Sequence, residues 1–311
     1  MMRGQTKLGS RRRLWLAGGA LLLLIVGLVA LMPNNPITRL LRQDTTWRTM
    51  EQRGTWRVGM DPSFPPFEQL DDQGQPVGLD VDLARAMAAE WGLEVEIVAI
   101  GFDSLIDALQ AGKVDSIVSA LPYDERLTGD IAYSRPYFEA GVRLAARSDT
   151  DLAHQQAAVQ NGAVTGAAAE RDAQAVLDGT VLDGTVLVGH TLAVEWGSMG
   201  DMVGRRLQRE GIDLALRQFP TPQEAVDALT AGQADTLLID NVTLRQAQGQ
   251  GAPIVAVGPA LDGNPYVIAM PLQAHDLHAA VDDAFAALQE TGALAELEAI
   301  WFGPLPADPS P

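Results

Sequence analysis

Two stretches of this chain repeat one another: DALQAGKVD at 107–115 and DALTAGQAD at 227–235. Each reads as the end of an amphipathic helix, a stop and the approach to a strand. Ser104 with Asp107, and Thr221 with Glu224, have the spacing of capping boxes, and Pro222 suits a first helical position. Gly112 and Gly232 supply the residue that ends a helix. An apolar run follows each time, "SIVSA" and "TLLID". Helix-to-strand crossovers of this kind build parallel sheets. The chain is therefore expected to contain two similar α/β units.

The first unit has more of the same grammar. Trp56 to Met60 predicts a short buried strand, ended by the turn-forming residues at 61–66. Leu83, Met87 and Trp91 fall at i, i+4 and i+8 within a helix predicted over 79–91. "LEVEIVAI" at 93–100 alternates as a strand. Ligands of parallel sheets bind beyond the carboxyl ends of the strands. Those ends carry Asp61, Ser119 and Asp240, so two units facing each other describe a polar cleft.

Charge and composition narrow the partners. The sequence has 311 residues and a formal charge of −18, with five basic residues and no acid in its first 32. Beyond them stand 17 bases against 40 acids. A body this acidic repels phosphate backbones, which argues against nucleic acid. With no cysteine, disulfides, thiolate metal sites and cysteine nucleophiles are excluded.

Arg11, Arg12 and Arg13 precede an uncharged run over 14–32, "LWLAGGALLLLIVGLVALM". As a helix it spans roughly 28 Å, close to a bilayer's hydrocarbon thickness. The preceding bases predict a cytoplasmic N-terminus and an exported body. Residues 1–32 are read as a signal anchor, with a cleaved signal peptide as the alternative. If uncleaved, the segment attaches the protein to a membrane. Residues 33–52 would be a tether.

Three stretches carry a family likeness: "VGMDPSFPPFEQLDDQGQPVGLDVDLARAMA", "FDSLIDALQAGKVDSIVSALPYDERLTGDIAYSRPYF" and "ADTLLIDNVTL". Together with the closing "LQETGALAELEAIWFG", they resemble the family 3 extracellular solute-binding proteins, the polar amino-acid receptors of ABC importers. The likeness spans about 53–303. It implies a two-lobed α/β fold of the type II periplasmic-binding-protein kind, hinged by two crossovers. Lobe 1 would comprise 53–138 plus 266–303, lobe 2 139–261, and a tail 304–311. The crossings would lie near 137–141 and 262–266, where Gly141 and Gly263 suit hinges. The expected protein is a monomer without cofactor or metal. It binds a small zwitterion, most simply an amino acid, and hands it to an ABC transporter permease.

The resemblance also assigns residues. Arg126 would hold the ligand α-carboxylate from lobe 1, since a planar guanidinium matches a carboxylate bidentately. Asp240 would take the α-ammonium from lobe 2. Asp61 follows the first strand, and Phe64 with Phe102 would sandwich the ligand side chain. Gly197, Ser198 and Met199 lie at a helix start that adds positive potential. The chain departs from the family between strand and arginine. Ser119 is the only hydroxyl there, and Ala120, Leu121 and Pro122 stand where a second would lie. Another departure is length: 148–191 is Ala/Gly-rich, contains "VLDGTVLDGTVL" and reads as a surface excursion.

The same scaffold can carry other functions, such as a cyclohexadienyl-dehydratase-like enzyme or a sensory ectodomain. Catalysis would need a poised acid or base. The four histidines lie outside the motifs, and His275 with His278 lacks a third metal ligand in sequence.

Overall fold

The computed structural model describes residues 45–154 and 187–303. The apolar run at 14–32, the LDGTV duplication and the tail at 304–311 lie outside these residues. Among the described residues no helix is long and apolar enough to cross a membrane.

The first unit begins with α1 (Thr46–Arg53), β1 (Thr55–Met60), β2 (Ser63–Phe64), β3 (Glu68–Leu70), β4 (Pro76–Val77), α2 (Leu79–Trp91) and β5 (Glu94–Ala99). A 3-10 turn at Phe102–Ser104 leads into α3 (Leu105–Gln110) and β6 (Ser116–Ile117). Another at Glu125–Leu127 precedes β7 (Ile131–Tyr133). The chain then crosses through β8 (Phe138–Glu139) into β9 (Val142–Arg147). The second unit continues with β10 (Thr191–Glu195), α4 (Met199–Arg209), β11 (Ala215–Phe219), α5 (Pro222–Thr230), β12 (Thr236–Asp240), α6 (Asn241–Gly249) and β13 (Ile254–Asp262). It returns through β14 (Pro265–Tyr266) to β15 (Ala269–Pro271), and ends in α7 (His275–Glu290) and α8 (Ala293–Phe302).

These strands form two five-stranded sheets, ordered β5-β1-β6-β15-β7 and β11-β10-β12-β9-β13. The two have one design. Three parallel strands are followed by an antiparallel fourth and a fifth antiparallel to that. In each sheet the fourth strand is the one that enters directly after a crossing. The crossings themselves pair, β8 against β14, with Glu139 opposite Pro265 and Tyr266 opposite Phe138. Apolar clusters flank both sheets; the largest gathers Trp56, Phe67, Met87 and Phe285.

The repeated nonapeptide now has a physical meaning. Asp115 and Asp235 each bracket the start of the neighbouring parallel strand. The Asp115 carboxylate accepts from the Arg57 N–H at 2.8 Å, while its own N–H donates to the Arg57 carbonyl. Asp235 does the same with Thr191, its carboxylate accepting at 2.7 Å. The glycine of each repeat ends its helix at φ +69°. The motif is a device for register, placing a strand end correctly.

Three local expectations are corrected. The tether predicted to run to residue 52 already contains α1, whose Met50 is fully buried and whose Trp47 meets Trp91 edge-on at 5.4 Å. Two apolar anchors dock an otherwise polar octapeptide, so its periodicity is too sparse to read. Ser104 makes no side-chain cap, because a 3-10 turn occupies 102–104 and α3 continues from it. The strand predicted after Gly112 is ladder-paired only at Ser116–Ile117. Thr221 does cap α5, its hydroxyl accepting from the Glu224 N–H at 3.2 Å. Thr221→Ala is expected to cost about 1 kcal/mol, readable as a lowered urea midpoint with unchanged slope.

Candidate functional site

The carboxyl end of β1 delivers the chain into a loop where Asp61, Ser63 and Phe64 stand beside Phe102, Ser119 and Ala120. With Glu68, Pro122 and Tyr266 they enclose a cavity of about 300 Å³. Five of the residues anticipated in sequence therefore meet: Asp61, Phe64, Phe102, Ser119 and Ala120. Phe64 and Phe102, both lining the cavity, are each 43% exposed, large for aromatic rings. None of the described residues lining this cavity is basic.

The wall is held by a hydrogen-bond chain. The Asp61 N–H donates to Ser119 Oγ at 3.0 Å, and Ser119 Oγ donates to Glu68 Oε1 at 2.8 Å. Asp61 Oδ2 accepts from the Phe102 N–H at 2.8 Å, which ties one aromatic to the carboxylate. Ala120 sits at φ +41°, a left-handed conformation that costs a non-glycine residue of order 1 kcal/mol. It is pinned there by its N–H, which donates to Asp80 Oδ2 at 2.5 Å. The same oxygen accepts from Tyr137 Oη at 2.9 Å. Gly78 starts α2 so close to the loop that a Cβ would lie 2.0 Å from the Phe67 carbonyl, which fixes Asp80 beneath the wall.

Burial governs the titration of these groups. Glu68 is pushed up to about 10, first by desolvation and then by the charge of Asp80. Asp80 is pushed up to about 6 by desolvation, against the lowering effect of the Ala120 N–H. Tyr266 is pushed up to about 12 by burial and next by the charge of Asp240. That last influence ties Asp240, on β12 of the second sheet, electrostatically to a residue lining the cavity.

The remaining anticipated residues lie outside the cavity lining. Leu121 turns its side chain into the apolar cluster with Leu105, Leu109 and Ile131, so its side chain has no access to a ligand. Arg126 stands on the loop with its side chain 88% exposed. Its guanidinium grips Asp124: Nε donates at 2.9 Å and Nη2 at 2.7 Å. Asp124 caps the 3-10 turn and accepts from the Arg126 N–H as well. The neighbouring aspartate thus already occupies the fork expected to receive a ligand carboxylate.

On the second sheet, Ser198 caps α4, accepting from the Asp201 N–H at 3.2 Å. Asp201 reaches back to the Gly197 N–H at 3.1 Å and is itself held by Arg205 and Gln218 at 2.9 and 2.7 Å. Gly200 passes so near β12 that a Cβ would be 2.6 Å from the Leu238 carbonyl. Met199 is half exposed, and Trp196 beside it is 70% exposed. Asp240 is exposed and caps α6, accepting from the Thr243 N–H and hydroxyl at 2.8 and 2.7 Å. His278 faces the Tyr133 carbonyl and Asp282.

Sequence reasoning missed Glu68, Asp80, Asp201 and Tyr266. "FEQL" and "GLDVDL" did carry a signal, an acid inside an otherwise apolar run. Only burial distinguishes such an acid from a solvated one.

Residues 56–304 match the family model described as bacterial extracellular solute-binding proteins, family 3. The arginine-binding protein ArgT of Corynebacterium glutamicum is 28% identical over 259 residues, covering 81% of this chain and 75% of that protein. An arginine-binding periplasmic protein of Mannheimia haemolytica is 36% identical over 106 residues, covering 34% of this chain but only 45% of the relative's length. A solved polar amino acid uptake substrate-binding protein from Streptococcus thermophilus superposes with TM-score 0.63 at 21% identity. It covers 87% of this chain and 92% of that one.

Proposed function

Because this chain belongs to the bacterial extracellular solute-binding proteins of family 3, we propose that it is an amino-acid receptor serving an ABC importer. We infer further that its ligand carries a cationic side chain. The observation that carries this reading is the cavity chemistry: the Asp61 carboxylate lines it together with two exposed aromatic rings, and no described residue of the lining is basic. A guanidinium or ammonium entering there gains an opposite charge and flat π faces. A carboxylate would meet like charge. That two relatives are named for arginine supports the same reading.

Arg126 and Asp240 complete the ligand site in this account. A zwitterion losing its hydration needs a fixed partner at each end. Arg126 releases Asp124 to take the α-carboxylate. That exchange is inexpensive, because an exposed ion pair contributes little. Asp240 takes the α-ammonium from the other sheet while keeping Thr243 as donor. The start of α4 adds its N–H groups to the carboxylate side. Closure is favoured only when one ligand joins both lobes. The family's exported relatives support an extracytoplasmic location, and the 14–32 run supports a membrane anchor.

Screening the full chain for thermal stabilisation against the proteinogenic amino acids tests the proposal. At a hundredfold over its dissociation constant, the ligand is expected to add about 2.7 kcal/mol. L-arginine, L-lysine and L-histidine should rank above neutral and acidic amino acids. Stabilisation by none of the twenty, with turnover of prephenate or arogenate, would favour the dehydratase reading instead.

A further inference from the structure

Beneath the cavity wall two carboxyl groups are buried close together, and no cation among the described residues balances them. Glu68 is 1% exposed and Asp80 is not exposed at all. Glu68 Oε1 accepts from Ser119, and Asp80 Oδ2 accepts from Ala120 and Tyr137. Each group has one oxygen left, Glu68 Oε2 and Asp80 Oδ1, and both are buried without a donor. The backbone brings the two acids together: the Asp80 N–H donates to the Phe67 carbonyl at 2.9 Å, and their partners Ser119 and Ala120 are adjacent in the chain, so each carboxyl feels the other's charge. Ionised carboxylates only accept hydrogen bonds, so a bond between two of them requires a proton. One proton placed there would satisfy both orphaned oxygens and remove the repulsion of two buried charges.

We propose that Glu68 and Asp80 hold a single proton between them, and that this shared proton positions the cavity wall. Glu68 is then free to accept from Ser119, which fixes the backbone of Asp61. Asp80 keeps its other oxygen for Ala120 and for Tyr137, the residue that leads into the crossing strand β8. Ser119 spends its only proton on Glu68, so towards a ligand it can act solely as an acceptor. The wall therefore selects donors. Glu68 and Asp80 are positioning residues here, acting through Ser119, Asp61 and Ala120.

The groups bearing on the pair are Asp61 from the end of β1, Tyr137 from the approach to β8 and Tyr266 from β14; none is a cation. Both carboxyls are raised in the folded protein. The stabilisation they give is complete below the unfolded carboxyl range and is lost as pH rises through about 6 for Asp80 and about 10 for Glu68. Melting temperature of the full chain should therefore fall as pH rises from about 5 to about 9. In Glu68→Gln the amide N–H replaces the proton permanently, and the fall should flatten. A pH profile of equal slope in wild type and Glu68→Gln would overturn the proposal.

Two further readings keep it testable should a variant fold poorly. The wild-type infrared spectrum near neutral pH should contain the C=O stretch of a protonated carboxyl, and its absence would also overturn the proposal. In amide exchange at fixed pH, Glu68→Ala should expose the Asp61 and Ala120 N–H groups about tenfold faster, whereas Glu68→Gln retains wild-type protection. Equal loss in both variants would show that side-chain volume matters and the proton does not.

Discussion

Replacing Arg126 with alanine is expected to weaken binding of the ligand on the order of a hundredfold, because a desolvated carboxylate is left without its cation. The ligand-free protein should melt as before. The Arg126 side chain is 88% exposed, and its partner Asp124 keeps partial access to water. Arg126→Lys should recover only part of the loss, since a point ammonium cannot reproduce the fork. Asp124→Ala separates the competing explanations. If Asp124 merely occupies the fork in the empty protein, its removal leaves affinity unchanged or slightly improved. Calorimetric titration of the three variants with the ligand found by screening reads all of this. Unchanged affinity in Arg126→Ala would make the arginine a surface residue paired with its neighbour, and the carboxylate assignment would fall.

Phe67→Ala should have the largest effect on stability, about 3–5 kcal/mol. Phe67 is fully buried, stacks on Phe64 at 5.7 Å and meets Phe138, Tyr266 and Phe302 edge-on at 5.0, 5.2 and 5.6 Å. Phe138 and Tyr266 come from the two crossing strands, and Phe302 from the last helix. One ring thus joins the cavity loop, both crossings and the C-terminal helix. Its removal leaves a cavity that four rigid aromatics cannot fill by small shifts. Urea unfolding measures it, and a loss below about 1 kcal/mol would mean that the cluster collapses around the gap. Phe67→Leu should cost clearly less than Phe67→Ala.

Much of this was legible in the residues. The duplicated nonapeptide announced two equivalent units, and the 2-1-3 parallel core shared by both sheets follows from its helix-to-strand crossovers. Leu79–Trp91 was readable to the residue, because a thirteen-residue amphipathic pattern leaves little choice. Strand ends pointed to Asp61 and Ser119, and both line the cavity. What was illegible depends on contacts distant in sequence. Asp124 is two residues from Arg126, yet nothing in "DER" says which acid the guanidinium grips. Glu68 and Asp80 look like ordinary surface acids until the loop and α2 are packed face to face. The helix Thr46–Arg53 rests on Met50 and Trp47, too few apolar positions to establish a period.

The central claim is that an acidic, aromatic cavity takes a cationic side chain, and one comparison isolates that charge. L-arginine and L-citrulline share backbone, length and shape, but citrulline's ureido group is neutral. Isothermal titration of the full chain with each should give at least tenfold tighter binding for arginine, about 1.4 kcal/mol, and Asp61→Asn should erase the difference. Equal affinity for the two, or tighter binding of citrulline, would contradict it.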